Sequence, residues 1–167
     1  SNPNLQNIPT RSELGHAYDE VIVATGDNRL RQIRLQILEE YGIPIATIIH
    51  PSAIISPTAQ VNCGSTILAN AVIHTLARIG TGCIINTGAI VEHDCVVKDF
   101  VNMSPNCAMA GHCSVESRAF LGIGSTLSPA VTIGEDAVIG AGAVVLTDIP
   151  AHATAVGVPA KIIKQRD

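Results

Sequence analysis

The segment TGAIVEHDCVVKDF, residues 87–100, holds the side chains best suited to chemistry in this sequence. In it, His93 is followed directly by Asp94. An imidazole suits proton transfer because its pKa lies near physiological pH. A nucleophile that loses a proton as it attacks is assisted by a positioned base. The pair is therefore a candidate for acid-base chemistry, and a surface histidine on a strand corner is the alternative.

A strict six-residue repeat surrounds this pair. Steps of six from Ile55 meet sixteen positions that are all aliphatic or Met: Ile55, Val61, Ile67, Ile73, Ile79, Ile85, Val91, Val97, Met103, Met109, Val115, Leu121, Leu127, Ile133, Ile139 and Val145. The positions four residues later hold small side chains almost throughout. One large and one small buried position per hexad is typical of short strands joined at corners, with three strands in each coil. The repeat predicts a triangular prism of stacked coils.

The prism predicts which residues are neighbours of the pair. Coils of about 18 residues stack about 4.8 Å apart, so Thr75 and Gly111 are expected to lie beside His93 in the neighbouring coils. Because both residues are small, they are expected to leave space for a ligand beside the imidazole. Simple alternation along a strand would point Asp94 away from His93, so the two meet only in a corner conformation. Residues that tolerate φ > 0 are expected just after the aliphatic position, at Gly80, Gly122, Gly134, Gly140, Asn62 and Asn86.

The same register places the cysteines. Four of the five fall in the small inward column, where a free thiol behaves as a compact hydrophobe: Cys83, Cys95, Cys107 and Cys113. Cys63 lies outside that column and is expected to be exposed. Without a CxxC spacing or a secretory signal, we predict free thiols in a reducing cytoplasm.

Residues 1–47 precede the repeat, and their sequence pattern predicts a partial α/β segment. Residues 20–25 are expected to form a buried strand, followed by a helix capped at Asp27 or Asn28 and ended by Gly42. Its buried face is expected to hold Leu30, Ile33, Ile37, Leu38 and Tyr41. Gly26 at the helix N-terminus is a candidate phosphate or sugar site, and simple turn chemistry explains it equally well. Residues 48–167 are expected to form the β-helix domain with a C-terminal cap.

Composition excludes several classes. The chain of 167 residues is 47% hydrophobic but 2% aromatic, with 10 basic against 14 acidic residues. Nucleic-acid binding needs stacking rings or a basic surface, and neither is expected here. Apolar stretches are too short for a transmembrane span. The lack of an initiator Met is what a fragment would show, and residues 3–11 resemble a short stretch of family A DNA polymerases, taken as coincidence or foreign sequence.

Two motifs carry a family resemblance. INTGAIVEHDCVV (residues 85–97) and GVPAKIIKQ (residues 157–165) resemble the hexapeptide-repeat acyltransferases, closest to bacterial nucleotide-sugar N-acetyltransferases and sialic-acid O-acetyltransferases. The resemblance implies a mainly β fold, a left-handed parallel β-helix. It also implies acetyl-CoA as co-substrate without a metal, a cytoplasmic homotrimer with active sites between adjacent prisms, and neither nucleic acid nor membrane insertion.

The resemblance also implies roles for individual residues. His93 would be the general base and Asp94 would raise its basicity. Asn102 falls where the family has a second His, and its amide can still donate to an oxyanion. The further coenzyme A positions implied are Ile123, Ala141 and Lys161. Gly111, from its spacing to His93, is a further cofactor candidate, and Gly26 at the helix N-terminus stays the candidate substrate position. The implied reaction acetylates the amino group of a UDP-4-amino-sugar, and O-acetylation of sialic acid or a related sugar is the alternative.

Two other classes remain open at this point. His74, His93 and His112 are 19 residues apart, one coil plus one residue, and gamma-class carbonic anhydrases bind zinc through histidines on the same prism. This diagonal turns alternate side chains in opposite directions, which disfavours a shared metal. A solenoid that only binds a partner is the second alternative.

Overall fold

Two-residue strands, each with one side chain outward and one inward, build a three-sided prism in the computed structural model, which describes residues 18–165. The strands are β1 (Ile48–Ile49), β2 (Ile54–Ile55), β3 (Gln60–Val61), β4 (Thr66–Ile67), β5 (Val72–Ile73), β6 (Arg78–Ile79), β7 (Ile84–Ile85), β8 (Ile90–Val91), β9 (Val96–Val97), β10 (Asn102–Met103), β11 (Ala108–Met109), β12 (Ser114–Val115), β13 (Phe120–Leu121), β14 (Thr126–Leu127), β15 (Thr132–Ile133), β16 (Val138–Ile139), β17 (Val144–Val145), β18 (Ala153–Val156) and β19 (Lys161–Gln165).

Every third strand joins the same sheet, so each of the three faces of the prism is one sheet, and its strands run parallel up to the C-terminal β19. The first face contains β1, β4, β7, β10, β13, β16, β18 and β19; the second contains β2, β5, β8, β11, β14 and β17; the third contains β3, β6, β9, β12 and β15. Residues 18 apart are partners, as Asn102 is with Ile84 and Phe120. The predicted fold class, a left-handed parallel β-helix of hexapeptide repeats, is confirmed.

The inward columns form the core. All aliphatic positions from Ile67 to Val145 are buried, whereas Ile55 and Val61 near the open first coil are half-buried. The four cysteines of the small column are buried and Cys63 is exposed, as predicted. Because coils stack so closely, rings fit poorly inside, which explains the low aromatic content.

The corners differ from the prediction. Positive φ falls on the third residue after the aliphatic position, as at Gly82 (φ 62°) and Asp94 (φ 59°), and not on the first. The prediction for Gly80, Gly122, Gly134, Gly140, Asn62 and Asn86 is therefore wrong. The glycines among them serve close approach instead: a Cβ on Gly122 would lie 2.6 Å from the amide nitrogen of Ala141 in the next coil.

Helix α1 (Asn28–Glu40) precedes the prism with the predicted caps. Asp27 accepts a hydrogen bond from the Leu30 amide (2.8 Å), and Gly42 follows with φ 67°. Its buried face was predicted correctly at Leu38, but Arg31 and Leu35, which are also buried, were missed. Ile33, which was expected to be buried, is 39% exposed. The helix face that holds Arg31, Leu35 and Leu38 points toward the prism, because backbone carbonyls of the prism accept hydrogen bonds from the Arg31 guanidinium.

Arg31 fastens α1 to the prism. Its guanidinium donates to the carbonyls of Gly82 (2.6 Å), Phe100 (2.8 Å) and Thr25 (2.9 Å), and to Asn28 Oδ1 (2.8 Å). Burial lowers the pKa of this guanidinium from its usual value. A buried cation satisfied mainly by carbonyls joins the helix, the Gly26 turn and two prism corners.

The predicted strand over residues 20–25 is wrong. Val21 forms only an isolated parallel bridge with Ile45. Val21 donates its N–H to the Pro44 carbonyl (3.0 Å), and proline has no N–H with which to extend the ladder. The division of the chain at residues 47 and 48 stays a prediction.

The C-terminal segment closes the last coil. β18 pairs with β16 on the first face, and β19 folds back antiparallel to β18. Ala160 donates its N–H to the Val144 carbonyl (2.8 Å), so the GVPAKIIKQ segment also lies beside the second face. Over residues 18–165, no helix is long and apolar enough to cross a membrane. The polymerase-like residues 3–11 lie outside the described part of the chain.

Candidate active site

The corner between the second and third faces brings His93 and Asp94 together. Asp94 has φ 59°, and its Oδ2 lies 2.9 Å from His93 Nδ1. The side chains are 47% and 36% exposed. This is the corner conformation that the pair required, and it leaves His93 Nε2 as the ring nitrogen not engaged by Asp94.

Gly111 lies beneath the imidazole of His93. A Cβ at position 111 would lie 2.6 Å from both Cε1 and Nε2 of His93. The ring itself lies against Gly111, in agreement with the predicted neighbour spacing, and the space for a ligand beside it stays a prediction. On the other side, the Thr75 carbonyl accepts a hydrogen bond from the Asp94 amide (3.1 Å). Gly111 and Thr75 thus fit the pair between neighbouring coils.

This contact gives a test of how the ring is held. For the acetyl transfer that the resemblance implies, with His93 as its base, we expect Gly111→Ala to displace the imidazole and lower kcat/KM about 10- to 100-fold, since small misplacement of a reacting group is costly. Steady-state kinetics on the single variant and on Gly111→Ala in a His93→Asn background measure the effect. A loss that is equally large in both backgrounds would show that the substitution does not act through the ring.

His112 is a neighbour that the motif comparison did not assign to the site. It sits one coil from Asp94 at the same left-handed corner (φ 61°), and its ring meets that of His93 edge to face with centroids 5.2 Å apart. His112 Nε2 lies 4.0 Å from Asp94 Oδ2. His74 instead lies 3.9 Å from Glu92. The three-histidine diagonal of the metal alternative is therefore not assembled.

Asn102 lies elsewhere. It is in β10 on the first face, 7% exposed, and its Nδ2 donates to the Gly26 carbonyl (3.2 Å). Its Oδ1 is buried without a partner among the described residues. The structure thus joins two predicted positions, Asn102 and Gly26, on a face that His93 does not border. One of the two N–H groups of this amide is thereby engaged by the N-terminal segment that covers the strand, and the role expected for Asn102 at an oxyanion stays a prediction.

The other predicted coenzyme A positions share a different corner. Ile123 and Ala141 lie in adjacent coils where the first face turns into the second, and both are exposed. The Ile123 carbonyl accepts from the Gly142 amide (2.8 Å), which stacks the two coils. Lys161 is exposed at the start of β19. Within one chain, this corner and the His93 corner lie at opposite borders of the second face.

Gly26 borders two surface cavities. One, of about 290 Å³, is lined by Arg29, Arg118 and Asp136 among others; the second, of about 330 Å³, lies over the first face beside Ile84. Arg118 and Asp136 form an ion pair (3.1 Å) that sequence reasoning missed, although both are corner residues 18 apart. Burial opposes ionisation of Asp136, but Arg118 and Arg29 hold the pKa of this carboxyl below its usual value.

Comparison with known proteins agrees with this architecture. The model of the bacterial transferase hexapeptide (six repeats) family matches residues 112–147. A putative acetyltransferase of Staphylococcus aureus (strain MRSA252) is 47% identical over 58 residues, which cover 35% of this chain and 29% of the relative. The chain spans about a third of the length of the curated relatives it matches.

Solved structures match over much more of the chain. The GDP-perosamine N-acetyltransferase of Caulobacter crescentus, solved with CoA and GDP-perosamine, is 41% identical with a TM-score of 0.91, over 93% of this chain and 74% of that one. The acetyltransferase domain of PglB from Neisseria gonorrhoeae, solved with acetyl coenzyme A, is 33% identical with a TM-score of 0.88, over 92% and 77%. The chain belongs to the hexapeptide-repeat acyltransferase family.

Proposed function

We propose that the protein is an acetyl-CoA-dependent N-acetyltransferase that acts on the amino group of a nucleotide-activated amino sugar. The His93–Asp94 pair carries this proposal, since it supplies an imidazole held by a carboxylate at an exposed corner. The likeness to an enzyme solved with CoA and GDP-perosamine supports the substrate class. A UDP-linked 4-amino-sugar remains our prediction for the acceptor. A GDP-linked amino sugar, the kind of ligand bound in that neighbour, should be assayed beside it.

The proposed step assigns one task to each group. Because Asp94 engages Nδ1, the neutral His93 ring can carry its proton there and accept another at Nε2. The sugar amine attacks the thioester carbonyl and passes its proton to Nε2. The tetrahedral intermediate then collapses, the carbon–sulfur bond breaks, and the leaving sulfur takes the proton back from Nε2, which releases coenzyme A as the thiol and restores the neutral ring. The predicted contact of Asn102 with the oxyanion would use the amide N–H that does not bind Gly26.

A homotrimer would complete the site. The His93 corner and the Ile123–Ala141 corner lie at opposite borders of the second face. If the second face of each prism is turned toward a three-fold axis, the His93 corner of one prism lies against the Ile123–Ala141 corner of the next. The outward residues of the second face are mostly apolar: Ile54, Val72, Ile90, Ala108, Thr126 and Val144. We propose that coenzyme A binds between these corners, near Ile123, Ala141 and Lys161, in a cytoplasmic trimer.

Acceptor screening tests the proposal. Full-length protein is incubated with acetyl-CoA and, separately, a UDP-4-amino-sugar, a GDP-4-amino-sugar, sialic acid and a simple amine, and acetylated product is detected by mass spectrometry. We expect turnover with a nucleotide-linked amino sugar at a much higher kcat/KM than with the simple amine. Turnover of sialic acid alone would favour O-acetylation, and no product from any acceptor would favour a binding solenoid.

A further inference from the structure

We propose that His93, Asp94 and His112 bind one Zn²⁺ ion, which inhibits the enzyme by occupying its base. The three residues come from two neighbouring coils at one corner. One potential ligand atom from each lies within 4.8 Å of the other two. Binding itself is independent of the proposed function, and only the inhibition rests on it.

Stacking of left-handed corners aims the ligands at one place. Asp94 and His112 are 18 residues apart with φ of 59° and 61°, so their side chains leave the backbone in parallel, one coil above the other. The His112 amide donates to the His93 carbonyl (3.1 Å), which fixes the spacing of the two coils here. The carboxylate oxygen Asp94 Oδ2 is close to both imidazoles, 2.9 Å from His93 Nδ1 and 4.0 Å from His112 Nε2.

The donor set suits zinc in particular. Zn²⁺ binds two imidazoles and one carboxylate at about 2.0–2.2 Å and keeps a fourth position open. Mg²⁺ prefers oxygen ligands to imidazole nitrogen, so this set favours zinc over magnesium. The side chains of the group are between 36% and 64% exposed, so they can close on an ion without moving the backbone. His74 is left out because its ring faces Glu92.

Zinc bound at this site would block the base, because it uses a nitrogen lone pair of His93. An imidazole that binds a metal donates a nitrogen lone pair to it, and the carboxylate that orients His93 would be shared with the ion. The base could then not accept the proton of the amine. We therefore expect Zn²⁺ to inhibit acetyl transfer while Mg²⁺ at the same concentration does not.

Calorimetric titration of the metal-free full-length protein with ZnCl₂ tests the site. His112→Asn removes one imidazole but keeps a residue that tolerates the left-handed corner. His74→Asn is the matched control on the neighbouring coil. We expect one Zn²⁺ per chain, at least tenfold weaker binding in His112→Asn, and unchanged binding in His74→Asn. Circular dichroism confirms that both variants are folded.

Several outcomes would overturn the site. These are no binding up to about 100 μM Zn²⁺, which lies between micromolar and millimolar affinity, equal binding by His112→Asn, or a loss in His74→Asn as large as in His112→Asn. In the activity assay, we expect the Zn²⁺ concentration for half inhibition to rise at least tenfold in His112→Asn. Stoichiometric binding without inhibition would leave the metal site standing and count against His93 as the base.

Discussion

His93→Asn is expected to lower kcat/KM for acetyl transfer from acetyl-CoA by about 10²- to 10⁴-fold, the usual contribution of a general base. Asparagine keeps a polar side chain at the corner but cannot accept the amine proton. Since the His93 side chain lies over Gly111 and is 47% exposed, the fold should survive. Initial rates at saturating and limiting acceptor separate the loss in kcat from any change in KM.

Two further variants show whether the loss is chemical. Asp94→Asn leaves the imidazole in place and removes only the carboxylate, so a smaller loss is expected, with kcat affected more than KM. His74→Asn changes an exposed imidazole one coil away that pairs with Glu92, and the rate should stay within about twofold of the wild type. An unchanged rate in His93→Asn would remove this residue from the mechanism.

The hexad pattern alone could predict the prism and its register. Each inward position from Ile67 to Val145 is identifiable because a six-residue period with one large and one small side chain has few other structural solutions. The corner conformation was less accessible. Positive φ occurs at Leu76, Phe100 and Arg118, residue types that disfavour it, because coil stacking and cross-coil hydrogen bonds fix the backbone there.

The site was predictable where chemistry and register coincide. His93 and Asp94 could be found from residue type and neighbour spacing, and the corner then proved to join them. Asn102 could not be judged from the repeat, because an outward strand position looks free until the N-terminal segment covers it. The role of Arg31 had a readable signal: it shares a helical stripe with Leu35 and Leu38, but an apolar-face search ignores an arginine.

The stability of the α1 docking depends on the same guanidinium. We expect Arg31→Leu to destabilise the packed helix by roughly 3 kcal/mol, because it leaves the carbonyls of Gly82 and Phe100 buried without their donors. By native-state hydrogen exchange, amides of α1 should then exchange about 100-fold faster. Core amides of the prism should change far less, since they are protected by cross-coil hydrogen bonds that Arg31 does not make.

Arg29 provides the matched control on the same helix. Its side chain is 69% exposed and pairs with Asp136 (2.8 Å), so Arg29→Leu should cost no more than about 1 kcal/mol. Arg31→Lys keeps the charge but not the planar fork that reaches several carbonyls at once, and an intermediate loss is expected. Equal acceleration of α1 and prism amides in Arg31→Leu would mean that Arg31 supports the whole fold. Unchanged exchange in α1 would mean that the apolar contacts of Leu35 and Leu38 hold the helix without it.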